Sequence, residues 1–142
     1  IIHIDTIMKR LTFSIFCALL SLIAMAADLI PQEQINGKYG YVNPQGFLMI
    51  RARYDMARPF KENLAAVEVN GKWGFIDENG KAVVKCQYKE VRDFHDGHAL
   101  VCNKEGFWGA IDKKGEEVVP CSYNEPSGLV DRLLFVRKTD KN

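Results

Sequence analysis

A glycine-flanked aromatic returns three times along the chain, and that self-similarity limits the fold before any other feature is weighed. Gly37-Lys38-Tyr39-Gly40 recurs as Gly71-Lys72-Trp73-Gly74 and again as Gly106-Phe107-Trp108-Gly109. The first step is 34 residues and the second 35, the extra residue falling within Asn103-Lys104-Glu105. Further columns keep the same phase. Asn43-Pro44-Gln45-Gly46 aligns with Asp77-Glu78-Asn79-Gly80 and Asp112-Lys113-Lys114-Gly115. Tyr54, Tyr88 and Tyr123 align, as do Phe60, Phe94 and Leu129. Ala65-Ala66-Val67 matches Ala99-Leu100-Val101 and Leu134-Phe135-Val136. A unit this short cannot bury its own aromatic face, so neighbouring copies have to stack.

Each copy reads as three strands. In the second copy, Trp73 to Asp77 is a short aromatic and β-branched run, and Ala82 to Cys86 is its return. The Asn79-Gly80 between them predicts a tight hairpin, because both residue types tolerate positive φ. An irregular link from Gln87 to Gly97 carries Tyr88, Val91 and Phe94 inward, and Ala99 to Asn103 is the third strand. Asn70-Gly71 joins the third strand of one copy to the first of the next as another hairpin. The expected fold class is all-β: tandem three-stranded β-meander repeats, three copies and roughly nine strands, in a solenoid-like or barrel-like array.

The paired aromatic and glycine have separate work. A Trp or Tyr on a short strand contributes a large buried area. The next residue points to the opposite face, and glycine there allows close approach of another backbone, or a bulge. Gly40, Gly74 and Gly109 hold that place. Gly97, aligned with Asn63, is expected in the left-handed conformation. The repeat framework is thus Tyr39, Gly40, Trp73, Gly74, Trp108, Gly109, Tyr54, Tyr88, Tyr123, Phe60 and Phe94.

These residues resemble the WG-repeat family, bacterial repeats named for the pair seen here as Trp73-Gly74 and Trp108-Gly109. The second copy follows the family pattern from Gly71-Lys72-Trp73-Gly74-Phe75-Ile76-Asp77 to Phe94, Gly97, Ala99 and Val101. Pro120-Cys121-Ser122-Tyr123 keeps the family's Pro-x-x-Tyr, which Lys85 and Ile50-Arg51 do not. Tyr39 replaces Trp in the first copy and Leu129 replaces Phe in the third, as suits end caps. The resemblance covers residues 37 to 138. It implies a β-rich interaction scaffold and brings no catalytic or binding residues to carry over.

Ahead of the repeats lie Met8-Lys9-Arg10, an apolar run from Leu11 to Met25, and the small residues of Ala24-Met25-Ala26. That order predicts a cleaved secretory signal peptide over residues 1–26, with Met8 the expected initiator. The apolar run is short of the ~20 residues a membrane span needs. Residues 27–36 then form an N-terminal tail, followed by repeats at 37–70, 71–104 and 105–138 and a C-terminal tail at 139–142. Secretion or periplasmic residence follows, with the membrane met only through the signal peptide. Without the leader, 17 basic residues face 17 acidic ones once Lys9, Arg10 and Asp5 leave. A neutral chain with interspersed charges lacks the basic stripe that nucleic acid requires.

Three cysteines remain after the leader, Cys86, Cys102 and Cys121. An odd number cannot close a disulfide framework. Cys86 and Cys121 share a column with Ala52, which predicts a small buried slot.

Asp93-Phe94-His95-Asp96-Gly97-His98 places two His and two Asp within six residues and is the one candidate for Zn²⁺. Phe94 and Gly97 are framework positions, however, and all the ligands would come from one short loop, which favours ordinary surface variation. No Gly-x-Ser-x-Gly elbow accompanies the cysteines and histidines, and Glu116-Glu117 would point apart across a strand. No catalytic residue, cofactor or metal site is therefore expected. The expected role is non-catalytic protein–protein interaction. Arg51, Arg53, Arg58, Lys89, Arg92 and Asp131 would supply specificity as charged positions that vary between copies. The alternative is a cell-wall or glycan-binding module, which would need Tyr39, Trp73 and Trp108 exposed in a row.

Overall fold

Short β-branched and aromatic runs separated by Asn, Asp and Gly fold as antiparallel strands. The computed structural model describes residues 28–129. The leader, Asp131 and Leu134-Phe135-Val136 lie outside the described residues. In chain order the strands are β1 (Ile30–Glu33), β2 (Tyr39–Val42), β3 (Leu48–Tyr54), β4 (Met56–Ala57), β5 (Leu64–Val69) and β6 (Lys72–Asp77). After them come β7 (Ala82–Tyr88), β8 (Glu90–Val91), β9 (His98–Cys102), β10 (Trp108–Asp112) and β11 (Glu117–Tyr123). They make three antiparallel sheets, ordered β1-β2-β3, β4-β5-β6-β7 and β8-β9-β10-β11. Each sheet keeps two edges, so the array is an open, solenoid-like stack and not a barrel.

The link between the second and third strands is more ordered than the sequence suggested. Within it Glu90–Val91 pairs with Cys102 and Val101, as Met56–Ala57 pairs with Glu68 and Val67. The repeat therefore has four strands, the extra one being only two residues long. The segment expected to be an N-terminal tail also contributes a strand. Its β1 pairs with β2 through Gln32 opposite Gly40 and Glu33 opposite Tyr39. This is the place that β5 takes beside β6 and β9 beside β10.

Two kinds of turn join the strands. Asn70-Gly71 is a two-residue hairpin with both residues at positive φ, 54° and 74°. Asn79-Gly80 is different, because only Gly80 (φ 77°) is left-handed. There the Asp77 carboxylate accepts the backbone N–H groups of Asn79 and Lys81, both at 2.9 Å, and makes a longer turn. Asn43 and Asp112 organise the matching turns in the same way. The inserted residue before the third repeat converts its linker to this longer form, with Asn103 accepting from Phe107 N at 2.9 Å.

Sheet and repeat boundaries do not coincide. The last strand of one repeat, β5, pairs along its length with the first strand of the next, β6. Each sheet thus contains strands of two repeats, and no repeat completes a sheet alone. The middle sheet is covered on both faces. Ala65, Val67 and Ile76 pack against Tyr41, Ile50 and Tyr54 of the first sheet. Ala66, Phe75, Val84 and Tyr88 pack against Ala99, Val101 and Ile111 of the third. Burial on both faces is why these strands read as continuous apolar runs rather than alternating ones.

The glycine after each aromatic leaves no room for a side chain. Tyr88 pairs with Trp73 and Val84 with Phe75, so Lys85, Cys86 and Gln87 arch over Gly74 alone. A Cβ on Gly74 would lie 2.4 Å from Val84 O, and on Gly40 and Gly109 it would lie 2.5 and 2.6 Å from the matching carbonyls. Gly71 is open by comparison, with nothing within 4 Å but φ at +74°. Gly74→Ala is expected to destabilise the protein by about 3 kcal/mol or more, since backbone has to move. Gly71→Ala should lose about 1–2 kcal/mol from backbone conformation. Thermal unfolding of the two variants checks the order, which reverses if the close approach is unimportant.

Candidate functional site

Aromatic framework residues are brought together in direct cross-strand pairs: Tyr39 with Tyr54, Trp73 with Tyr88, and Trp108 with Tyr123. Such pairs contribute roughly 0.2–1 kcal/mol each. Phe60 meets Tyr41 at 4.9 Å between ring centroids and Phe94 meets Phe75 at 4.8 Å. In the third copy both partners shrink together, Leu129 packing with Ala110. Trp108 is buried, whereas Tyr39 and Trp73 are half-buried. Tyr41 donates its hydroxyl to Arg58 O at 2.8 Å, and burial raises its phenol above the ordinary range, reinforced by nearby Tyr54 and Asp93.

The tryptophans do not form an exposed ladder. The guanidinium of Arg58 lies 4.4 Å from the centre of the Trp73 ring, and Arg92 lies 5.6 Å from that of Trp108. A sugar ring stacking there would have to displace an arginine. Arg58 also donates to Val91 O at 3.0 Å, joining consecutive repeats. Arg53 donates to Gly80 O at 2.9 Å and stands over Tyr54. Arg58 and Arg92 occupy one column, so neither they nor Arg53 are the free, copy-specific charges that the sequence suggested. Arg51 and Lys89 are exposed. Sequence reasoning missed these structural arginines. Their 34-residue spacing, 58 to 92, was the available signal.

The His cluster forms a tight turn. His95 and His98 exchange backbone hydrogen bonds of 2.9 and 3.2 Å across Asp96 and Gly97. Both central residues are left-handed, at φ 52° and 81°, as are Glu62 and Asn63 in the aligned turn. The two turns are stitched by Gly97 N donating to Glu62 Oε2 at 2.9 Å, and Lys113 donates to Glu62 O at 2.9 Å. His95 stands out in solvent beside Asp96, with 89% of its side chain exposed. Among the described residues, no three His, Cys, Asp or Glu side chains converge as metal ligands do.

Among the described residues, Cys86, Cys102 and Cys121 are free. Cys86 and Cys121 are half-buried rather than buried, because their column is the crest of the arch over the glycine. Burial raises the thiol pKa of Cys86 and Cys102. Cys121 is pushed up to about 11 by burial and then by the Glu117 carboxylate. Beside Cys86 a cleft of about 410 Å³ opens between β7 and the Asn103–Phe107 turn. Lys72, Lys104, Glu105 and Glu117 line it together with Cys86 and Tyr88. Its lining holds two lysines and two glutamates, so it carries no net charge of one sign.

An open all-β stack whose recurring residues are structural defines a repeat scaffold. The family model described as "WG containing repeat" matches residues 39–73, 73–106 and 108–132, and the chain belongs to that family. No curated protein and no solved structure matches it.

Arg58→Ala is expected to uncover Trp73, raising acrylamide quenching, and to lower stability by about 1–2 kcal/mol. An unchanged quenching constant would show that the arginine does not shield the ring. For Cys121, a folded pKa above its unfolded value means the native state holds the proton more tightly. Its contribution to stability is therefore present below about pH 9 and lost as pH rises towards about 11. Iodoacetamide labelling of the folded protein at pH 8, read by intact mass, should accordingly be slow at all three thiols and become fast in denaturant.

Proposed function

We propose that this protein is a secreted or periplasmic, non-catalytic module that binds a protein partner through its exposed charged columns. One observation supports this reading. The columns that hold the stack together recur from copy to copy and turn inward, while the outward ones differ. Arg51, Lys85 and Pro120 share one exposed column on the outer strands β3, β7 and β11. Lys81 and Glu116 share another, with Phe47 as the first-copy member. A surface that changes sign along a rigid array selects partners by charge pattern, giving specificity more than raw affinity. Export would rest on the basic, apolar, small-residue order of the leader.

Glycan binding is less well supported, since the tryptophan faces are buried or covered by arginine. The test is affinity capture from an envelope extract with and without prior digestion of the cell wall. Retention of defined proteins regardless of digestion, lost in the Arg51→Glu/Lys85→Glu/Lys89→Glu variant, is the expected result. Retention that requires intact wall material would overturn it.

A further inference from the structure

We propose that the cleft beside Cys86 binds a short peptide with both termini free, Lys72 holding its carboxylate and Glu117 its ammonium. The cleft measures about 410 Å³, inside the roughly 300–1,000 Å³ range of small-ligand sites. Lys72 reaches it from β6 of the middle sheet and Glu117 from β11 of the third, so the two charges stand on different walls. Cys86 and the buried Tyr88 add a less polar lining.

Three departures from the repeat coincide at this junction. Between the first and second copies, the Asp55 carboxylate accepts from Lys38 Nζ and from Asn70 N, the latter at 2.7 Å, and ties the two-residue turn down. Lys38 and Asp55 are neighbours because they flank the paired Tyr39 and Tyr54. Lys72 and Lys89 flank the paired Trp73 and Tyr88 in the same way. Lys89 N donates to Cys102 O at 2.9 Å as Asp55 N donates to Glu68 O at 2.8 Å, so the lysine has the place of the aspartate. Lys72 thus stands across from a like charge where Lys38 has its counter-ion. Among the described residues it makes no ion pair. The second departure is the longer turn, whose Asn103, Lys104 and Glu105 form one side of the cleft. Glu117 is the third, since Leu48 and Ala82 hold its column in the other copies. Its carboxylate accepts from the Cys121 thiol at 3.7 Å and meets no cation among the described residues.

The charges select a dipolar ligand. Glu105 and Glu117 repel a purely anionic one, and Lys72 and Lys104 a purely cationic one. Lys104 and Glu105 already pair at 3.5 Å, which leaves Lys72 and Glu117 as the two poles. A ligand carrying both charges gives each of them a charge-assisted hydrogen bond. The volume corresponds to about 14 water molecules at ~30 Å³ each, a heavy-atom count between those of Ala-Ala and Ala-Ala-Ala. Neither Lys72 nor Glu117 belongs to the charged columns above, so the site stands or falls apart from them.

Titration of the ¹⁵N-labelled protein with Ala-Ala to about 20 mM, followed by amide shifts, tests the proposal. The expected result is saturable movement of the Lys72, Gln87 and Glu105 amides with a Kd of about 0.1–2 mM. Lys72→Gln and Glu117→Gln should each weaken binding at least ~10-fold. Both variants should melt within about 2 °C of the wild type, as for surface substitutions generally. N-acetylation of the dipeptide should add nothing to the loss in Glu117→Gln, and C-terminal amidation nothing to the loss in Lys72→Gln. Amides that do not move saturably overturn the proposal, as does a capped dipeptide that binds the wild type as tightly as the free one. Free alanine binding as tightly as Ala-Ala would overturn the peptide in favour of a single amino acid.

Discussion

Everything in this stack depends on one backbone-to-backbone approach, the passage of an outer strand across a residue without a side chain. At Gly40, Gly74 and Gly109 three residues of the outer strand arch over one residue of the central strand. The arch lets the aromatic before the glycine and the residue after it each keep a partner: Trp73 meets Tyr88 and Phe75 meets Val84. Any Cβ would strike a carbonyl oxygen, so the requirement is steric and admits no other residue. It also explains the Ala52, Cys86 and Cys121 column. Those residues sit on the arch with their backbone N–H 2.9, 2.7 and 2.7 Å from where the glycine Cβ would be.

The second organising fact is that repeats interlock rather than abut. Because the last strand of each repeat belongs to the next sheet, backbone hydrogen bonds cross every repeat boundary. Side chains reinforce the crossing. Arg58 reaches Val91 O, Arg53 reaches Gly80 O, and Glu62 accepts from Gly97 N. Turn glycines take part as well: a Cβ on Gly80 would meet Ile50 and one on Gly115 would meet Val84, both at 2.9 Å. A stack built this way is a nearest-neighbour structure, in which each unit is stabilised by the next. Among the described residues β1 supplies the first strand, and Leu129 packs against Cys102, Trp108, Ala110 and Val119 of the third sheet.

Where sequence reasoning fell short, the cause was a side-chain capture within a turn or an interaction between residues distant in sequence. Asn79-Gly80 has the composition of a two-residue hairpin, yet the Asp77 carboxylate captures two backbone N–H groups and imposes a longer turn. The strands β4 and β8 are too short for any periodicity to reveal and exist only because β5 and β9 offer an open edge. Arg58 and Arg92 look like surface charges, and the tertiary fold lays them over Trp73 and Trp108. The His95–His98 turn was legible as framework because its Gly97 aligned with Asn63, and both are left-handed.

The sequence by itself determined the repeat, its three copies and the all-β class. Periodicity and the steric demands of glycine and aromatic residues are local, or recur at a fixed interval, and so can be read along a chain. Only the tertiary structure decided that the array is an open stack, that sheets straddle repeats, and which charges are structural. Those outcomes depend on which face of one sheet meets which face of the next. The apolar row of Ile30, Val42 and Leu48 shows the division well. Each residue is ordinary in sequence, and only strand register sets them side by side.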